Sequence, residues 1–254
     1  MTIILYDGSF DGFLSAVFAC YARRIDPHDI CRETAWQGKL FPTPVRIVTD
    51  GQKAARVWNA LRLRLHKNHK NMPFFAFLSQ DTGIEMILYR FIRKMFNSPK
   101  SVETDYGDAD SLELRRAERK VMQEAVRIHQ FVRFQETRDG LYFAPVEPAF
   151  DVLALTLGHF KSRFARQKWL IYDVRRDYGF FYDLQQTHRV VLTEKTFSPL
   201  DGKLEDQMAA EQEQTYQTLW KDYFNHITIG ERKNLRLQRQ HMPARYWKFL
   251  PEKM

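Results

Sequence analysis

The sequence predicts an α+β protein: an N-terminal α/β-like region, a central antiparallel β-β-α-β-β-β sheet region and a basic C-terminal arm. Three observations carry that reading. The first half alternates short apolar runs with segments whose apolar residues recur every three or four positions. After Gln130 the apolar period falls to two, and cations crowd the last two dozen residues. The change of period separates a helix-rich region, 1–130, from a sheet region with a C-terminal helix and arm, 131–254, with one continuous domain as the alternative. At 254 residues and 44% hydrophobic content the chain can bury a substantial core under either division.

Thr2–Tyr6 is a short apolar run suited to a buried strand, and Asp7-Gly8-Ser9 ends it in a turn. Phe10, Phe13, Leu14, Val17, Phe18 and Tyr21 then share one face of a helix over Asp11–Arg24, with Ser9 as its cap and Asp7 placed favourably for the helix dipole. The pattern Asp7-Gly8-Ser9-x-x-Gly12 is neither G-x-G-x-x-G nor a Walker loop, so capping explains it better than phosphate binding. Val45–Thr49 reads as a second strand and Gln52–His66 as a second helix. Pro73 opens a helical run, Phe74–Leu78, and Thr82–Asn97 carries a strong apolar stripe behind Asp81, its expected N-cap. Asp108–Gln130 is a long mixed-charge helix with a thinner stripe.

Beyond Gln130, Phe131–Glu136 and Leu141–Val146 flank Thr137-Arg138-Asp139-Gly140 as a hairpin, with Pro145 and Pro148 expected to stop the second strand. Asp151 is the expected cap of a helix reaching about Phe164. Trp169–Asp173 and Gly179–Leu184 form a second hairpin, and His188–Leu192 adds a strand. A polar helix over Glu205–His226 and a basic arm over Glu231–Met254 complete the chain.

Composition narrows the function classes. The net charge is +8, which favours polyanionic partners. Two cysteines, Cys20 and Cys31, make neither a disulfide framework nor an iron–sulfur motif, which needs three closely spaced thiolates. We therefore expect no cofactor and no metal: His66 and His69 sit in a basic loop, and His159 and Asp173 have no further ligand at suitable spacing. No leader-like n-region and no run of eighteen apolar residues is found, so no membrane partner is expected and the expected location is cytoplasmic.

Two segments carry candidate binding chemistry. Leu157–Asp183 interleaves cations, among them Arg163, Arg175 and Arg176, with rings, among them Phe160, Trp169, Tyr172 and Tyr178. Such a surface holds phosphates with one set and stacks bases with the other, although alternating rings also mark any half-buried strand. The arm sets seven cations, including Arg236, Arg239, Arg245 and Lys248, against two acids, with Tyr246 and Trp247 among them. Here we expect the rings to anchor on the body and the arginines to face outward. The candidate catalytic set is His159 with Asp7 and Asp173, a proton carrier and two carboxylates to orient it. Against it stand a packed histidine and an ion pair of Asp173 with the neighbouring Arg175 and Arg176. Trp36, Phe41 and Phe74–Phe77 flank loops and are candidates for a docking patch.

Three stretches carry a family resemblance: Tyr6-Asp7-Gly8-Ser9-Phe10-Asp11-Gly12; His159-Phe160 with Trp169-x-Ile171-Tyr172-Asp173 and Arg176-x-Tyr178-Gly179; and Arg239-Gln240-x-Met242-Pro243-x-Arg245-Tyr246-Trp247-Lys248-x-Leu250-Pro251-Glu252. Together they resemble a bacterial family known as probable DNA metabolism proteins, built on a conserved domain of unknown function. Its members are encoded beside a radical-SAM protein, and some are fused to a uracil-DNA glycosylase-like domain. The chain ends just after Leu250-Pro251-Glu252, so no such module is expected to follow. The resemblance implies a DNA-repair setting in which the chain binds DNA, single-stranded or opened, beside a radical-SAM partner and a uracil-DNA glycosylase-like protein. It transfers no catalytic residue. The competing expectations are an enzyme with its own acid/base site at His159 and Asp173, acting on nucleotides or nucleic acid, and a scaffold for an acidic protein.

Overall fold

The computed structural model of the chain describes residues 2–36, 38, 44–98, 103, 105, 107–194, 197–198, 201–205, 207–227 and 234–253. The chain forms two compact units, Met1–Val121 and Met122–Met254. The division falls inside the long helix α5 (Ala109–Phe131) rather than after it.

In the first unit, β1 (Ile3–Tyr6) lies between β2 (Asp29–Arg32) and β3 (Val45–Arg46), and both pairings are parallel. All four residues of β1 are buried, as the central strand of a covered parallel sheet should be. A parallel pair needs a crossover, and α1 (Phe10–Ala22) supplies it between β1 and β2. The Ser9 hydroxyl accepts the Gly12 N–H at 2.9 Å, which is the expected cap. β2 was not foreseen, because only Ile30 of its four residues is buried and its short polar sequence has no strand periodicity. The unit also contains the helices α2 (Gly51–Arg64), α3 (Met72–Leu78) and α4 (Ile84–Asn97) and the first part of α5. Asp50 caps α2 by accepting the Gln52 and Lys53 N–H groups. The cap of α4 is Gly83, with φ of 80°, and not Asp81.

Of the rings that were candidates for a docking patch, Phe77 belongs to the core, while Phe74 and Phe75 are half-buried. Phe74 and Phe77 both lie 5.2 Å from the Phe10 ring, which also meets Trp58. Trp36 is half-buried, and Phe41 lies outside the described residues.

The second unit is built on a five-stranded sheet, in the order β4 (Gln135–Glu136), β5 (Tyr142–Val146), β6 (Trp169–Asp173), β7 (Tyr178–Tyr182) and β8 (Thr187–Val190). The chain is α+β as predicted, but this sheet is mixed and not purely antiparallel. β5 and β6 pair in parallel from Tyr142–Trp169 to Val146–Asp173, because α6 (Leu153–Arg163) carries the chain back across the sheet between them. Period two identifies strands but is blind to their direction. Pro145 sits inside β5 instead of ending it. It pairs in register with Tyr172 on one side, while β4 reaches only Tyr142 and Phe143 on the other. The missing N–H therefore falls where no ladder bond is required.

Three further boundaries differ from the sequence reading. α5 runs on to Phe131, so the first strand starts at Gln135. Asp151 does not cap α6; it accepts the Tyr178 hydroxyl. The late polar helix α7 spans Glu213–Ile227 and starts eight residues after Glu205. The arm consists of α8 (Leu235–His241) and two 3-10 turns, Ala244–Phe249 and Pro251–Lys253. Tyr246, Phe249 and Leu250 are buried, which is the anchoring expected of its apolar residues.

Candidate nucleic-acid interface

The second unit carries a cleft of about 630 Å³ between the β4–β5 edge and α7. α7 is polar over most of its surface, yet Tyr216, Leu219, Trp220 and Tyr223 fall within eight residues and recur at three- and four-residue steps on one side. These four side chains line the cleft, and the rings of Tyr216, Trp220 and Tyr223 stay 55%, 39% and 56% exposed. Rings this accessible are not closed core. The opposite wall carries Arg133, Phe134, Gln135, Glu136 and Tyr142, and Pro251 borders one end.

The cleft is braced by two carboxylates. Glu213, in the first turn of α7, accepts the backbone N–H of Glu136 at 3.0 Å and ties the helix to β4. Glu252 accepts from Arg133 Nη2 at 2.7 Å and from Trp220 Nε1 at 2.9 Å, with its side chain only 2% exposed. The Arg133 guanidinium also lies 5.5 Å over the Trp220 ring. Burial alone would raise the Glu252 pKa, but the hydrogen bonds from its own backbone, Arg133 and Trp220 outweigh it and hold the carboxyl below its usual range. Leu250-Pro251-Glu252 thus acquires a physical reading: a fully buried anchor, a cleft wall and the acid that orients two cleft side chains.

A smaller cavity of about 300 Å³ shares Arg133, Phe134 and Tyr142 with the cleft and is otherwise lined by Val132, Phe164, Gln167 and Trp169. Trp169 is fully buried, with Tyr182 5.3 Å from its ring and Phe160 at 6.1 Å. Its indole Nε1 is buried without a protein acceptor, as is Arg133 Nε. Burial, with Glu136 beside it, pushes the Tyr142 phenol above its ordinary pKa, so it stays a neutral hydroxyl.

The residues singled out in the sequence fall into distinct settings. Asp7 belongs to the first unit, where it accepts the Ser9 N–H and hydroxyl and the Thr49 hydroxyl at 2.7–2.9 Å. Burial works against ionisation there, and those bonds overcome it to hold Asp7 below its ordinary pKa. In the second unit, His159 is exposed and stacks on His129 with ring centroids 4.1 Å apart. Asp173 is fully buried and accepts the backbone N–H groups of Arg175 and Arg176 and the Arg176 guanidinium, which locks the turn between β6 and β7. Burial raises the Asp173 pKa even against those partners. His159 and Asp173 are not bonded to each other.

Among the candidate phosphate contacts, Arg163, Arg175, Arg236 and Arg239 are exposed. Arg176 is turned inward to Asp173, Pro148 O and Ala149 O. Arg245 holds the buried Glu124, Lys248 pairs with Glu147, and Trp247 donates to Met242 O with Arg239 over its ring. What the sequence reading passed over is Arg133, Tyr142 and the α7 rings. The helical spacing of rings in an otherwise polar helix was the available signal.

Among the described residues no group of three or more metal-type ligands is found, and no helix is long and apolar enough to cross a membrane. No curated protein matches the sequence. The sequence model of a family described as Domain of unknown function (DUF4130) matches residues 82–252, about two thirds of the chain and every residue lining the cleft, and the chain belongs to that family.

Proposed function

We propose that the chain is a DNA-metabolism accessory protein that binds single-stranded or opened DNA through its second unit and works beside a radical-SAM partner. The observation that carries the binding reading is the exposed ring stripe of α7 facing Arg133, Phe134 and Tyr142 across an open cleft. Stacking on aromatic faces accepts any base and contributes about 1–3 kcal/mol per base. The cations Arg236 and Arg239, both exposed in the same unit, are available to phosphates. A chain with two cysteines holds no radical-SAM cluster, so in this reading the radical chemistry comes from the partner.

The test is fluorescence anisotropy with a labelled single-stranded oligonucleotide over a salt series. Tyr216→Ala with Tyr223→Ala should weaken binding at least tenfold while leaving unfolding unchanged, since both side chains are more than half exposed. Arg236→Ala with Arg239→Ala should flatten the log–log salt slope by about 0.7 for each phosphate no longer neutralised. Negligible affinity at low salt, or an unaltered affinity in both variants, would refute the reading. Co-purification with the partner at moderate salt, which screens a purely electrostatic association, tests the second half of the proposal.

A further inference from the structure

We infer that Leu184, in the β7–β8 turn, is a wedge that enters between two neighbouring bases of the bound strand, while Arg163, Arg166 and Lys168 take the flanking phosphates. The inference rests on the proposed DNA binding and names a further contact within it. Leu184 has a φ of 84°, a left-handed backbone that glycine adopts freely and leucine resists. The turn holds that conformation from several sides. Asp183 accepts the Gln185 and Gln186 N–H groups at 2.8 and 2.7 Å, and the Tyr182 hydroxyl donates to Leu184 O at 2.8 Å. The strain does not serve burial, because Leu184 is left 43% exposed. A strained backbone that presents an apolar side chain to the outside points to something that the side chain meets there.

The surroundings of the turn say what that is. The Tyr182 hydroxyl also lies 3.4 Å from Ala165 O, and Lys161 sits over the Tyr182 ring and reaches Gln185 O, so the turn rests against the end of α6 and the segment that follows it. Arg163, Arg166 and Lys168 in that segment are exposed and form no ion pair among the described residues. In the same unit Arg176, Arg245 and Lys248 are each held by a carboxylate. Unpaired cations around an apolar tip fit a polyanion with apolar layers between its charges, which is what stacked bases on a phosphate backbone provide. A membrane surface takes a whole apolar helix face or an acyl chain, whereas a base step accepts a single leucine. The reach is short as well. Tyr142, Trp169 and Tyr182 are register partners across β5, β6 and β7. Tyr142 on the cleft wall and Tyr182 beside the turn are therefore two strand spacings, about 10 Å, apart. A strand spans that distance in roughly three nucleotides at about 3.4 Å each.

The experiment uses the full chain and a single-stranded adenine oligonucleotide carrying one 2-aminopurine, whose fluorescence is quenched by stacked neighbours and rises when they separate. Wild type should raise the signal on binding. Leu184→Gly should lose the rise and bind roughly fivefold more weakly, while Leu184→Met keeps both. Glycine suits the backbone at this position, so Leu184→Gly should unfold at the wild-type temperature or above it, which separates a lost wedge from lost folding. Changing Arg163, Arg166 and Lys168 together to Ala should flatten the log–log salt slope by about 0.7 for each phosphate released. A rise that survives in Leu184→Gly, or binding without any rise, would overturn the inference and leave the single-strand reading standing. A rise that depends on Leu184, with Tyr216→Ala and Tyr223→Ala binding as wild type, would support the wedge and overturn the cleft as the binding surface. No oligonucleotide binding at low salt would overturn both, and binding to vesicles of anionic phospholipid in its place would assign the turn to a membrane surface instead.

Discussion

Replacing Glu124 separates the structural arginine of the arm, Arg245, from the exposed Arg236 and Arg239. Its side chain is fully buried on α5 and accepts the Ala149 N–H at 2.7 Å, Arg245 Nε at 3.2 Å and Arg127 Nη1 at 3.3 Å. One carboxylate thus joins the helix, the loop after β5 and the arm. Removing one member of a buried ion pair costs about 3–5 kcal/mol. Arg245 and Arg127 keep 34% and 28% of their side chains exposed, so water recovers part of that loss and Glu124→Ala should cost about 3 kcal/mol. Glu124→Gln keeps an acceptor for Ala149 and weakens the three charge-assisted bonds from Arg245 and Arg127, for a loss of about 2 kcal/mol.

Urea unfolding at pH 7, followed by circular dichroism, measures both. Burial would raise the Glu124 pKa, but the Ala149 N–H, Tyr246 and Arg245 more than reverse it, so the folded value lies below the ordinary one. The contribution is therefore complete above the unfolded value of about 4.3 and is lost as pH falls through the lower folded value. The gap between wild type and Glu124→Gln should close on acidification. Arg245→Ala should lower stability and combine with Glu124→Ala by less than their sum. A loss below about 1 kcal/mol for Glu124→Ala, or a gap that widens in acid, would refute the reasoning.

Two further predictions concern residues raised by the sequence. Asp173→Asn keeps an acceptor for the Arg175 and Arg176 N–H groups and removes a charge that burial already disfavours, so it should stay within about 1 kcal/mol of wild type; Asp173→Ala should lose about 2 kcal/mol and the exposed His159→Gln less than about 0.5, all read from urea midpoints. Gly12→Ala would place a Cβ 2.1 Å from Asp7 Oδ1 and should cost about 1–3 kcal/mol, whereas Gly51→Ala meets open space and should gain up to about 1 kcal/mol, as thermal unfolding will show.

Much of the local structure was legible because it is written in nearest neighbours. The helical stripe of Asp11–Arg24, the Ser9 cap, the buried run before Asp7 and the rings of Trp169–Asp173 depend on periodicity and capping, and the α+β class followed from where the period changed. What tertiary structure decided was pairing and partnership. The direction of β6 against β5 depends on which way α6 carries the chain, and β2 is a strand because β1 offers it an edge. Arg245 reads as an outward-facing cation in the sequence, yet it meets the buried carboxylate of Glu124 far along the chain, whereas the ion pair of Arg176 with Asp173, three positions away, was one of the alternatives the sequence offered. The cleft joins Arg133, Tyr142 and Trp220, residues without periodic relation to one another, and a carboxylate at position 252 ties two of them together. Spacing along a chain reports which face a residue shares with its neighbours; which distant face it meets is set by packing, and the candidate site is made of those meetings.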